Sequence, residues 1–147
     1  MNYKVMAVVA ETRIPENSEI FRFVTLRSDG EFSTAFEPSS SDKKDNPPSV
    51  SVWICGVSEP QATLQFVKRD YSGYFIISAF FIRQVTIKFK INSDPLDILH
   101  LPLSESPPGS GHAGITGLIR PENKPRDIYK TLRVKLADEG RKQYIPF

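Results

Sequence analysis

Residues Ile20 to Arg27 set Ile20, Arg22, Val24 and Leu26 against Phe21, Phe23, Thr25 and Arg27. A period of two sends successive side chains to opposite faces of an extended chain, so this segment predicts a strand. Lys4 to Ala10, rich in valine, predicts another. Between them, Pro15 biases Ile14 toward extended backbone and marks a loop from Glu11 to Glu19. The Asp29-Gly30 pair has the chemistry of a tight turn, which makes residues 20 to 36 a hairpin. Val50, Val52 and Ile54 alternate with Ser51, Trp53 and Cys55 in a third strand that Gly56 ends. The continuous apolar run from Tyr74 to Phe80 suits a central strand buried on both faces. Val85, Ile87, Phe89 and Ile91 alternate with Thr86, Lys88 and Lys90, the pattern of a strand wet on one face. Ala113 to Ile119 predicts a further short strand.

Two segments carry helix signals instead. In Ser58-Glu59-Pro60-Gln61 the Ser58 hydroxyl is placed to cap, proline is tolerated in the first turn, and Gln61 stands three residues after the cap. This helix would run to about Arg69 and bury Leu64 with Phe66 or Val67. Pro125 opens the last helix, whose apolar stripe is Ile128, Leu132 and Leu136 with Tyr129 beside it, and Gly140 supplies a stop. The segment from Pro38 to Pro48 holds serines, Asp42, Lys43, Lys44 and Asp45 with almost nothing to bury, which reads as a mobile loop. From Asp94 to Gly111 proline recurs, predicting irregular structure that carries Ile98, Leu99 and Leu101 over the core, with a second mobile loop over 102 to 111. The sum is α+β: one domain over residues 1 to 147, with a mixed or mostly antiparallel sheet of about five to seven strands and two helices.

Length and composition fit that reading. A chain of 147 residues buries one core, and 12 prolines with 8 glycines imply long connections. The apolar run that stops at Arg83 falls far short of the roughly 20 residues a bilayer requires, so no membrane partner is expected. The N-terminus lacks the longer apolar core of a secretory signal, and the single cysteine permits no internal disulfide, which together point to a cytoplasmic location. Net charge is only +2, but it is unevenly spread, because the residues from Arg120 onward carry +4. A basic tail on a mildly acidic body points to an acidic partner surface or to a self-solvating helix.

The glycine-rich run from Pro107 to Leu118 places His112 where a ligand or partner backbone can approach. Imidazole titrates near neutrality, so His112 is a candidate proton carrier or phosphate contact; the structural alternative is a ring that bonds a backbone carbonyl and fixes the turn. Arg13 is a second candidate, a guanidinium able to clamp a carboxylate or phosphate with Arg22 nearby, or to form an ion pair with Glu11, Glu16 or Glu19. Cys55 has neither base nor cationic neighbour in the sequence and reads as a small buried hydrophobe. His100 and His112, with no nearby cysteine, give no zinc spacing, and the glycines at 109, 111, 114 and 117 match neither phosphate-binding fingerprint. No metal and no cofactor are expected. On the last helix Arg126, Lys130 and Arg133 fall about 140° to 200° around from Ile128, a basic face able to contact phosphates or an acidic protein, or simply a solvated one, since no aromatic platform accompanies the charges.

The order Arg13-Ile14-Pro15, Ala35-Phe36, Ser49-Val50-Ser51-Val52, Ser58-Glu59-Pro60, Asp94-Pro95-Leu96 and His112-Ala113 resembles a diffuse set of small, functionally uncharacterised bacterial proteins. The resemblance covers most of the chain in scattered short matches, and implies an accessory role in bacterial conflict or defence gene clusters. Where that set carries Asn-Pro shortly before the histidine, this chain has Pro-Pro-Gly-Ser-Gly. The leading expectation is therefore a protein-binding accessory or regulatory module of a defence or toxin-type complex. A second is a small hydrolase or transferase acting on a phosphorylated nucleotide or nucleic acid through Arg13 and His112. A third is nucleic-acid binding through Arg126, Lys130 and Arg133.

Overall fold

A computed structural model of the chain describes residues 13–33, 35–44 and 47–147. The strand predicted at Lys4 to Ala10 lies outside the described residues. The elements are β1 (Glu19–Leu26), β2 (Phe32–Ser33), α1 (Ser40–Lys44), β3 (Val50–Ile54), α2 (Pro60–Val67), β4 (Gly73–Ser78), α3 (Ala79–Lys88), β5 (Asp97–His100), a 3-10 turn (Gly109–Gly111), β6 (His112–Thr116), α4 (Arg126–Arg141) and β7 (Tyr144–Pro146). The strands form one sheet in the order β5-β6-β3-β1-β4-β7, with β2 pairing the end of β1. Every pairing among these strands is antiparallel, and the α+β class holds.

Alternation in β1 and β3 divides the buried side chains between two faces. Ile20, Val24, Val50 and Val52 join Phe75, Ile77, Ile98 and Ile115 in the larger core, covered by Phe81, Ile82 and Val85 of α3 and by Leu132 and Leu136 of α4. Phe21, Phe23 and Trp53 face the other way and pack with Leu64 and Val67 of α2 and with Tyr71 and Tyr74. The helices therefore cover both faces of the sheet. One rung of the sheet runs across four strands, pairing Ile76 with Phe21, Phe21 with Trp53, and Trp53 with His112.

The largest departure from the sequence reading is α3. Its residues read as a strand because Val85, Ile87, Phe89 and Ile91 alternate, yet the buried positions are Ala79, Phe81, Ile82, Arg83, Val85 and Thr86, a helical spacing, while Ile87 is exposed. Ser78 starts this helix by accepting the Phe81 backbone N–H at 3.0 Å, so the apolar run ends its strand two residues before Phe80. Residues 97 to 100, read as irregular, form β5, because Pro95 and Pro102 flank the segment without interrupting it. The segment read as a polar loop at 38–48 contains α1, and four helices, rather than two, occur among the described residues. Helix α2 is capped by Glu59, whose carboxylate accepts from the Gln61 and Ala62 N–H groups at 3.0 and 2.8 Å, while Ser58 donates to the Pro108 carbonyl at 2.6 Å. Glu59 reaches the free N–H groups that Ser58, one residue earlier, leaves to it.

Gly140 does not stop α4; it sits in the last turn, buried against Phe75, and a Cβ there would overlap the ring. Gly140→Ala gains up to about 1 kcal/mol of helix propensity and meets about 1–3 kcal/mol of overpacking. The expected result is a net loss of about 1 kcal/mol, measured by urea unfolding; a raised midpoint would contradict the contact.

Candidate functional site

Beta-strands 1 and 3 pair only at Ile20 with Ile54 and Phe21 with Trp53. Beyond that rung a side chain takes over from the backbone. Arg22 donates from Nη1 to the Ser51 carbonyl at 2.7 Å, from Nε to Ala35 at 2.9 Å and from Nη2 to Glu37 at 3.2 Å. Burial pushes the guanidinium pKa down, and the nearby charge of Asp42 works against that shift. A fixed fork of donors meets three carbonyls, Ser51 on the parted strand β3 and Ala35 and Glu37 on the chain that follows β2.

Asp42, only 3% exposed, occupies the third position of α1 in a reciprocal cap. Its backbone N–H donates to Ser39 Oγ at 3.1 Å, and its Oδ2 accepts from the Ser39 N–H at 2.9 Å. The other carboxylate oxygen accepts the Ser51 hydroxyl at 2.9 Å. Ser51 Oγ in turn lies 3.1 Å from His112 Nε2, and His112 Nδ1 lies 2.8 Å from the Leu101 carbonyl. Because a carbonyl can only accept, Nδ1 carries a proton. With the Ser51 proton committed to Asp42, the bond between Nε2 and Ser51 also forms only when His112 carries its second proton; otherwise the hydroxyl must turn from Asp42 to the imidazole. The ring also packs edge-on against Trp53, its rung neighbour, at 4.9 Å between centroids and 71°.

These groups form the floor of a cleft of about 1060 Å³. Its rim draws cations from separate segments: Lys43 of α1, Arg69 after α2, Arg120 before α4, and Arg126, Lys130 and Arg133 on α4 itself. Glu37 and Asp127 are the acidic residues at the rim, with Asp42 on the floor. Among the described residues, ion pairs engage Arg13, Arg27, Arg83, Arg141 and Lys142, and none engages a rim cation. On the side of α2 and the following turn, Phe66 and Tyr71 line the cleft, over Trp53 and Phe23.

The structure thus brings together residues that the sequence offered as separate candidates: His112 lies beneath the cleft whose rim carries Arg126, Lys130 and Arg133. Arg13 is placed elsewhere. It bonds Asp97 through Nε at 3.1 Å, Arg83 meets the same carboxylate at 2.8 Å, and Arg13 is not part of the cleft lining. Among the described residues its ion-pair partner is Asp97 rather than Glu16 or Glu19, and Glu11 lies outside the described residues. His112 acts as the carbonyl-bonding ring of the structural alternative, and His100 Nε2 mirrors it by meeting the Ser110 carbonyl at 2.6 Å, so two imidazoles pin the loop between them. The glycines of that loop admit the chain itself: a Cβ at Gly109, Gly111 or Gly114 would overlap Ser104, Ser58 or Ser49. Burial, with Glu19 adding to it, pushes the Cys55 thiol up to about 11, so it stays protonated at neutral pH. Among the described residues no group of three or more His, Cys, Asp or Glu is placed to hold a metal ion, and no helix is long and apolar enough to cross a membrane.

The periodicity of α2 leaves Phe66 and Val67 as alternatives for its buried face, and the structure leaves Phe66 42% exposed while Val67 packs with Phe21, Phe23 and Trp53. Asp42 was hidden in a polar run, although Ser39 three residues before it spelled the cap. No protein-family model, curated protein or solved structure matches the chain.

Two measurements check this geometry. Ser51→Ala removes the bridge between Asp42 and His112, and urea unfolding should show a loss of about 1–3 kcal/mol; unchanged stability would mean that the chain of bonds is dispensable. Asp97 supplies a pH test. Burial alone would raise its pKa, but hydrogen bonds from Arg83, the Ile98 N–H and Arg13 overcome that and hold it below the usual carboxylate range. A folded pKa below the unfolded one gives stability that is fully present above about pH 4 and is lost as pH falls through the folded value. Asp97→Asn should therefore flatten the acid limb of the stability curve; an unchanged limb would refute this linkage.

Proposed function

We propose that the protein binds nucleic acid in this cleft. The carrying observation is the convergence of six rim cations from separate segments, none in an ion pair among the described residues, on a chain whose net charge is only +2. A folded domain that pairs Arg13, Arg27, Arg83 and Arg141 with carboxylates and, among the described residues, leaves this rim without one concentrates positive potential over one concavity. Phosphate oxygens are the natural counterpart, since guanidinium and ammonium groups bind them by charge-assisted hydrogen bonds that release counterions. The basic face of α4 was one part of this surface; Lys43, Arg69 and Arg120 extend it around the opening.

Catalysis through Arg13 and His112 has no support in the arrangement, because the two side chains do not share the cleft and both imidazole nitrogens are engaged inside the chain. His112 and the buried Asp42 serve the floor's shape.

Fluorescence anisotropy with labelled oligonucleotides of mixed sequence tests the reading. Binding should weaken steeply between about 50 and 200 mM salt, and Arg126→Ala/Lys130→Ala/Arg133→Ala should lower the affinity and reduce the logarithmic salt slope by about 2. Absence of binding at low salt, or a triple variant that binds unchanged, would overturn it. Selective capture of an acidic protein segment by the same rim would replace it with the protein-docking reading.

A further inference from the structure

We infer that the cleft takes a single strand, with its phosphates along α4 and α1 and its bases turned against Phe66 and Tyr71. This inference rests on the nucleic-acid reading and narrows it to one class of polynucleotide. The two walls differ in chemistry. On one side stand Arg126, Lys130 and Arg133, where the only aromatic residue lining the cleft is Tyr129, buried at 8% exposure. On the other side Phe66 is 42% exposed although it is a large apolar ring, and Tyr71 stacks on Phe23 at 5.1 Å and 13° while also lining the cleft.

That division decides between single and double strands. A duplex keeps its base faces stacked inside and offers a protein phosphates and groove edges, so the aromatic wall would meet nothing it can stack on. A single strand offers phosphates and unstacked base faces together, which matches a cleft lined by the cations of α4 and α1 and by Phe66 and Tyr71 at and after α2, where Arg69 adds a further cation. The cleft volume of about 1060 Å³ lies at the upper end of small-molecule sites, which run to about 1,000 Å³, and suits a stretch of chain entering and leaving through an open mouth. Leu103, 58% exposed at the same opening, adds apolar surface that sugars and bases can cover. RNA and DNA share this chemistry, and both belong in the test.

The decisive variant is Phe66→Leu, because leucine keeps apolar bulk over Trp53 and removes the π-face. A labelled RNA or DNA single strand is competed by unlabelled single strand and by the same sequence as duplex. The single strand should compete at least about 10-fold better, and Phe66→Leu and Tyr71→Ala should each weaken single-strand binding about 5- to 50-fold while leaving the salt slope unchanged. Trp53, the chain's single tryptophan, lines the cleft beneath Phe66, so its emission should change on adding single strand to the wild type. Equal competition by duplex, or full affinity in Phe66→Leu, overturns the inference and leaves nucleic-acid binding standing. No binding of any strand overturns both.

Discussion

The half-buried fork of Arg22 is the constraint on which the rest depends. Antiparallel strands satisfy each other's backbone groups only while they run side by side, and β1 and β3 cease to do so after two residue pairs. Left alone, such a gap would either close, removing the cleft, or expose carbonyls that cost about 1–3 kcal/mol each when buried without a partner. Arg22 fills it by bonding Ser51 on one strand and Ala35 and Glu37 on the chain that follows β2. Lysine could not substitute, since its single ammonium cannot span three carbonyls in one plane. The charge this buries is offset by Asp42, whose proximity opposes the burial shift of the guanidinium.

From that point the cleft follows by a chain of local requirements. Asp42 sits beside Arg22 because α1 is held by its reciprocal cap with Ser39, and the same carboxylate fixes Ser51 by its hydroxyl. Ser51 then presents its oxygen to His112, which the sheet register has already placed beside Trp53. His112 reaches on to Leu101 and so anchors the loop whose Leu103 reaches the cleft opening. Four segments far apart in sequence are thereby tied to one floor. The rim cations take no part in these bonds, although Arg120 donates from Nη1 to the carbonyls of Pro121, Glu122 and Lys124 in its own segment.

The sequence made some of this legible and concealed the rest for physical reasons. Strands β1 and β3 were readable because each has two differently covered faces, so alternation survived in the residue types. The stripe of α4 was readable because one side of that helix meets solvent. Helix α3 was not, because it lies against the sheet with several sides buried and its β-branched residues imitate a period of two. His112, Arg126, Lys130 and Arg133 were each visible as chemistry, but their meeting depends on strand order β6-β3-β1 and on where α4 crosses the sheet. Nothing local to any of them encodes that. Phe66 shows the limit of residue type on an amphipathic helix: type alone does not choose between Phe66 and Val67 for the core, and it gives no sign that Thr63 takes the fully buried place and Phe66 the rim.

Charge placement explains why the rim differs from the rest of the surface. Exposed ion pairs contribute little stability, so the pairs of Arg27 with Asp29, Arg141 with Glu31 and Lys142 with Glu139 matter chiefly because they cancel field where they occur. Asp97 serves two arginines at once, which lowers but does not cancel the positive charge of Arg13 and Arg83 beside β5. The cleft has no such arrangement: Glu37 and Asp127 are too few for six cations, and Asp42 is spent on Ser39 and Ser51. Mutual repulsion among the rim cations raises the energy of the empty protein slightly, and a polyanion that enters relieves it. A surface built only for stability would have placed the carboxylates here.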